Sequence, residues 1–164
     1  MDPVTWLVQR APGFSSLSQK ERKAIKDFAF LWSLYEAEVL DADGNACAII
    51  RQVNLLRDGG KLALDKLRDP IAYFKHRYCD GTDLTHAFQG LKFRAENQRQ
   101  LVERVVRGQA SNDADVLSAM IIIVLRLRNN LFHGEKWAYG IQGQFENFRN
   151  ANKILMAVID MHKS

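Results

Sequence analysis

Apolar side chains recur at three- and four-residue steps along most of the chain, and no segment alternates apolar and polar positions with the two-residue period of a strand. The pattern predicts an all-α fold, a bundle of about five to seven helices with no sheet, built as one domain over 1–164. Its first strong stripe, Ile25, Phe28, Ala29, Trp32, Tyr35, Ala37 and Val39, predicts a helix from Ser18 to about Val39. Ser18 followed by Glu21 is a capping box that would satisfy the first orphan amides of that helix. Residues 1–15 precede it as an irregular N-terminal arm.

A turn at 41–45 leads into a helix over about Ala46–Leu56, and Arg57-Asp58-Gly59-Gly60 breaks it before a further helical stretch, Lys61–Leu67. Asp69-Pro70 reads as an N-cap with proline at the first helical position, starting a helix over Ile71–Tyr78. After a loop at Cys79–Asp83, residues Leu84–Val106 have helical composition, with Gly90 as a kink. Asn112, with Asp113 and Asp115 behind it, starts the most apolar helix, which runs to about Phe132. Its Ile121-Ile122-Ile123-Val124 run is β-branched, yet the 20-residue frame and the acidic start favour a buried helix over a strand. A last helix spans Gly143 to about His162.

Composition narrows the classes. Two cysteines, Cys47 and Cys79, are too few for a disulfide scaffold, and a cytoplasmic setting is expected. The apolar run at 119–125 falls short of the roughly 18 residues of a membrane helix, and the N-terminus lacks the apolar core of a secretory signal, so no membrane association is expected. The net charge of +4 favours an anionic partner. Phosphate loops, dinucleotide fingerprints, zincin helices and nucleophile elbows are all missing from the sequence. Asp41-Ala42-Asp43 opens like a calcium loop but has Ala46 and Gln52 where glycine and glutamate are needed. His76, Cys79, Asp80 and His86 could in principle form a zinc site, but two thiols cannot build the Cys-rich sets of structural zinc, and neither metal nor cofactor is expected.

Polar groups crowd onto the end of the most apolar helix: Arg126, Arg128, Asn129, Asn130 and His133, then Gly134. Buried charges without partners are expensive, so these groups need solvent, partners or a cleft. On an unbroken helix Arg126, Asn129, Asn130 and His133 share one face, while Arg128 lies about 140° from His133. Unwinding before Gly134 would bring Arg128 and His133 together. A plainer reading is also open, in which His133-Gly134 is a helix C-terminus and both arginines extend to solvent.

The run R-N-N-L-F-H-G at 128–134 is similar to the signature of the HEPN superfamily (higher eukaryotes and prokaryotes nucleotide-binding), helical domains of which many are ribonucleases. That signature is an arginine, a polar residue such as asparagine, and a histidine after four to six intervening residues. Arg128, Asn129 and His133 match it, and Arg126 is a second candidate arginine whose loss should mainly weaken RNA binding. The run F-A-F-L-W-S-L-Y-E at Phe28–Glu36 also resembles the first-helix pattern of these domains.

The resemblance implies a metal-independent endoribonuclease, a toxin or defence effector restrained by a cognate antitoxin or regulatory protein. It implies a homodimer with a composite cleft, His133 as acid or base, Arg128 on the phosphate, and Asn129, Asn130, Arg126 and Glu36 in support. The residue types suit that chemistry, because metal-free cleavage needs a proton acceptor for the ribose 2′-hydroxyl and a cation over the phosphate. The alternative is an inactive helical module that binds RNA, a nucleotide or a protein. Its affinity would come from Lys92, Arg94, Arg99, Arg104 and Arg107 together with the basic helix start at Lys20, Arg22, Lys23 and Lys26.

Overall fold

A computed structural model describes residues 1–110, 112–134 and 140–164. Ser111, in the expected break before the apolar helix, and Glu135 to Tyr139, which follow the motif, lie outside the described residues. The chain is an all-α bundle. Its organising element is helix α7 (Asp113–Phe132), capped by the Asn112 side chain, which accepts from the Asp115 amide at 2.8 Å. The side chains of Ile121, Ile122, Ile123 and Val124 are fully buried, as expected of a helix apolar on all sides.

Around it stand α2 (Gln19–Glu38), α3 (Ala46–Asp58), α4 (Arg68–Tyr78), α6 (Glu96–Val106) and α8 (Phe145–Lys163). Helices α3, α6 and α8 pack on α7, and α8 also packs along α2, where Phe28 and Phe148 meet with ring centroids 5.0 Å apart. Buried Asn152 of α8 donates from Nδ2 to the Ala24 carbonyl at 3.1 Å, a polar tie across that interface. The expected capping box is present: Ser18 Oγ accepts from the Glu21 amide and Glu21 Oε2 accepts from the Ser18 amide. Glu21 Oε1 also accepts from the Gly143 amide at 2.8 Å, tying the lead-in of α8 to the start of α2.

The amide hydrogen bonds favour the carboxylate over the acid and lower the Glu21 pKa below its ordinary 4.5. Their stabilisation is therefore complete above the ordinary carboxylate pKa and is lost as pH falls through the lowered one. Glu21→Ala is expected to cost about 1 kcal/mol at neutral pH, the usual worth of a helix cap, measured as a fall in the urea midpoint. The gap to wild type should close in acid.

Four local expectations are corrected. Residues 1–15 are not irregular: they hold α1 (Pro3–Arg10), capped by Asp2, and a 3-10 turn at Phe14–Ser16. The expected helix at Lys61–Leu67 is a 3-10 turn at Asp65–Leu67 only, because Gly60 at φ +69° ends α3 and the Lys61 amide returns to the Leu56 carbonyl. Helix α4 then begins at Arg68, with no side-chain cap from Asp69. A small hairpin does exist, β1 (Cys79–Asp80) against β2 (Asp83–Leu84), too short to show alternation. It turns at Gly81, φ +62°.

The largest correction falls on Leu84–Val106, which is not one kinked helix. It contains the single-turn α5 (His86–Gln89), a non-helical segment at 90–95, and α6. The carbonyls of Gly90, Leu91 and Lys92 accept hydrogen bonds from side chains of α7 instead of from a helix of their own. Aromatic contacts seat the segment, with Tyr78 against Phe88 and Phe88 against Phe93 at centroid separations of 6.4 and 5.4 Å. Counting α1 and α5, the described residues form eight α-helices. Among the described residues no helix is long and apolar enough to cross a membrane.

Candidate functional site

The polar end of α7 stays helical through Phe132. The His133 amide donates to the Asn129 carbonyl at 2.9 Å, and Gly134, at φ +77°, takes the left-handed position that closes a helix. With no unwinding before Gly134, the polar residues divide between two faces of one helix, as ideal geometry requires.

On the first face Arg126, Asn129, Asn130 and His133 border a hollow of about 180 Å³, closed on the other side by Lys92 and Arg94. Its floor is rigid. Arg126, only 5% exposed, donates from Nε to the Leu91 carbonyl at 2.9 Å and from Nη2 to the Lys92 carbonyl at 2.6 Å. Asn130, also buried, donates from Nδ2 to the Gly90 carbonyl at 2.9 Å. These three bonds clamp segment 90–92 onto α7 and satisfy groups that would otherwise be costly to bury.

The rim is open: Lys92, Arg94 and His133 are exposed. Burial lowers the Arg126 pKa, and the nearby Arg94 charge lowers it further. An arginine nevertheless keeps its proton at neutral pH, so the hollow gathers positive charge. Among the described residues none of the side chains that line it is acidic. An anion entering there would meet donors on several sides.

On the second face Arg128 sits against α2. Its guanidinium lies 5.8 Å from the Trp32 ring centroid and 5.5 Å from that of Phe132, and Nη2 is 4.0 Å from Glu36 Oε2. Trp32 Nε1 donates to the same Glu36 oxygen at 2.8 Å, which fixes the carboxylate. Gly44 passes so close to Glu36 that a Cβ there would collide with the carboxylate. Asn129 connects the two faces, since it borders the hollow and its Oδ1 accepts from Arg128 Nη1 at 3.0 Å.

The chain has no match among family models, curated proteins or solved structures. The site is therefore read from its own geometry. Arg126, Asn129, Asn130 and His133 come together, and Glu36 reaches Arg128, but Arg128 does not line the hollow beside His133.

Two residues of the hollow, Lys92 and Arg94, were legible in the sequence only as members of a basic series. The rest of that series behaves differently. Arg99 and Arg107 pair with Glu103 on α6 at 3.0 Å, and Arg104 lies away from the hollow on the same helix. At the start of α2, Arg22 donates to the Phe14 carbonyl and Lys23 pairs with Asp27. Among the described residues no three His, Cys, Asp or Glu side chains converge to hold a metal. The Cys79 thiol donates to the Gly81 carbonyl at 3.4 Å.

Proposed function

We propose that the chain is a metal-independent endoribonuclease of the HEPN type, and that RNA places a phosphodiester in the His133 hollow. The observation that carries this reading is the hollow's lining, in which an exposed imidazole stands beside Lys92, Arg94 and the buried guanidinium of Arg126. Cleavage needs little more. The ribose 2′-oxygen attacks the adjacent phosphorus, its proton passes to an imidazole, the bond to the 5′-oxygen breaks, and a second acid protonates that oxygen. The products end in a 2′,3′-cyclic phosphate and a 5′-hydroxyl.

His133 serves as one of these proton carriers. Arg128 is assigned to the charge that builds on the phosphate, with Asn129 and Glu36 orienting it through the contacts described above. Because His133 and Arg128 occupy different faces of α7, they act on one phosphate when two copies of the chain combine their motifs. A homodimer is thus part of the proposal. An RNA-cleaving effector must be held in check by its host, and a cognate antitoxin or regulatory partner is proposed for that role.

Arg128→Ala is expected to lower the cleavage rate of a labelled RNA in excess EDTA by about 100-fold, the usual cost of losing a donor to developing charge. A strict need for added divalent metal would overturn the reading. A second reading has its own support, because Arg126 and Asn130 already spend donors on segment 90–92. It makes the hollow a binding site for RNA or a nucleotide without turnover. It predicts salt-sensitive binding and no product in the same assay.

A further inference from the structure

We propose that Lys92 and Arg94, in and just after the clamped segment 90–92, are the phosphate ligands of the His133 hollow, with Arg126 and Asn130 as the positioning residues that hold that segment there. The inference rests on the reading of the hollow as an RNA site and assigns the groups that grip the phosphate. Three observations lead to it.

First, Arg126 is poorly placed to be the main ligand, since Nε and Nη2 are engaged by the Leu91 and Lys92 carbonyls. Its charge remains under the hollow, but the exposed cations on that wall are Lys92 and Arg94. Second, the clamp holds the neighbours rather than the substrate: three hydrogen bonds from two buried side chains hold the carbonyls of Gly90, Leu91 and Lys92, the backbone that carries Lys92 and leads into Arg94. Backbone held in place before the ligand arrives leaves less to order on binding. Third, Lys92 has φ +51°, a left-handed conformation that favours glycine. A lysine stands where glycine would be less strained, and such strain concentrates at working sites.

The ligand class is a phosphate oxyanion, as a diester in RNA or as the free ion. Phosphate offers acceptors in several directions, which suits donors arriving from Lys92, Arg94 and His133 around a small hollow. The test uses inorganic phosphate with the intact chain in EDTA, following the His133 imidazole resonance by NMR. Wild type should show a saturable shift. Lys92→Ala and Arg94→Ala should each weaken binding about tenfold, the worth of one charge-assisted hydrogen bond, and the double variant should show no saturation.

Arg104→Ala removes a charge of the same sign outside the hollow and should stay within about twofold, since exposed charges at a distance are screened. Lys92→Gly separates ligand from scaffold, because it should keep or raise the urea midpoint while losing phosphate affinity. Wild-type affinity in the double variant, or a shift at Arg128 with none at His133, would overturn the proposal. The two readings fail separately. Saturable phosphate binding without RNA product sinks the nuclease and supports the cradle, whereas undiminished RNA cleavage by the double variant sinks the cradle and spares the nuclease.

Discussion

His133→Ala is expected to abolish RNA cleavage, with a loss of at least about 100-fold in rate, the lower range for removal of a positioned acid or base. The fold should survive. His133 is exposed at the end of α7, and the bond that finishes the helix comes from its backbone amide to the Asn129 carbonyl, which alanine can make equally well. Substitutions at exposed positions of this kind usually cost about 0.5 kcal/mol or less. Matched urea curves with lost turnover would place the chemistry on the imidazole. Retained cleavage would remove His133 from the mechanism.

Arg126→Leu is expected to do the reverse, destabilising the fold by about 3 kcal/mol because two backbone carbonyls lose a buried, charged donor. Leucine fills part of the space but leaves the Leu91 and Lys92 carbonyls without their 2.9 and 2.6 Å partners. Segment 90–94 should loosen, and any folded fraction should show a raised KM for RNA with kcat held, since the residues displaced are Lys92 and Arg94. This changes the role expected from the sequence, where Arg126 stood as a second phosphate arginine whose loss would mainly weaken binding. Urea unfolding with steady-state kinetics on one preparation checks both effects. Unaltered stability with weaker RNA binding would show that the guanidinium serves the ligand and not the turn.

The helical bundle was legible because its signals are local. The Ser18 and Glu21 capping box, the Asn112 cap and the Phe28, Trp32 and Tyr35 positions of the α2 stripe are set by residues a few positions apart and appear where the pattern places them, whereas Ala37 of that stripe is exposed. The same short-range logic misjudged two Asp-Pro pairs. Asp2-Pro3 is a true N-cap, with the Asp2 side chain accepting from the Thr5 amide, although α1 buries none of its residues. Asp69-Pro70 is not one, because α4 starts two residues before the proline, at Arg68, and proline is tolerated anywhere in a first turn whose amides lack helical partners.

What the sequence concealed depends on distance along the chain. The partners of Arg126 and Asn130 lie 34 to 40 residues earlier, and their bonds divide what reads as one long helix. Helical periodicity showed that His133 shares a face with Arg126, Asn129 and Asn130. It could not show that the opposite wall would be Lys92 and Arg94, nor that Trp32 and Glu36 would hold Arg128.

The most direct test of the central claim is the chemistry of the cut ends. Purified wild type and His133→Ala are incubated with end-labelled RNA in excess EDTA, and the fragments are resolved by their terminal groups. Fragments ending in 2′,3′-cyclic phosphate from wild type, and none from the variant, are the predicted result. Fragments with 3′-hydroxyl ends, or equal products from both proteins, would contradict a metal-free ribonuclease centred on His133.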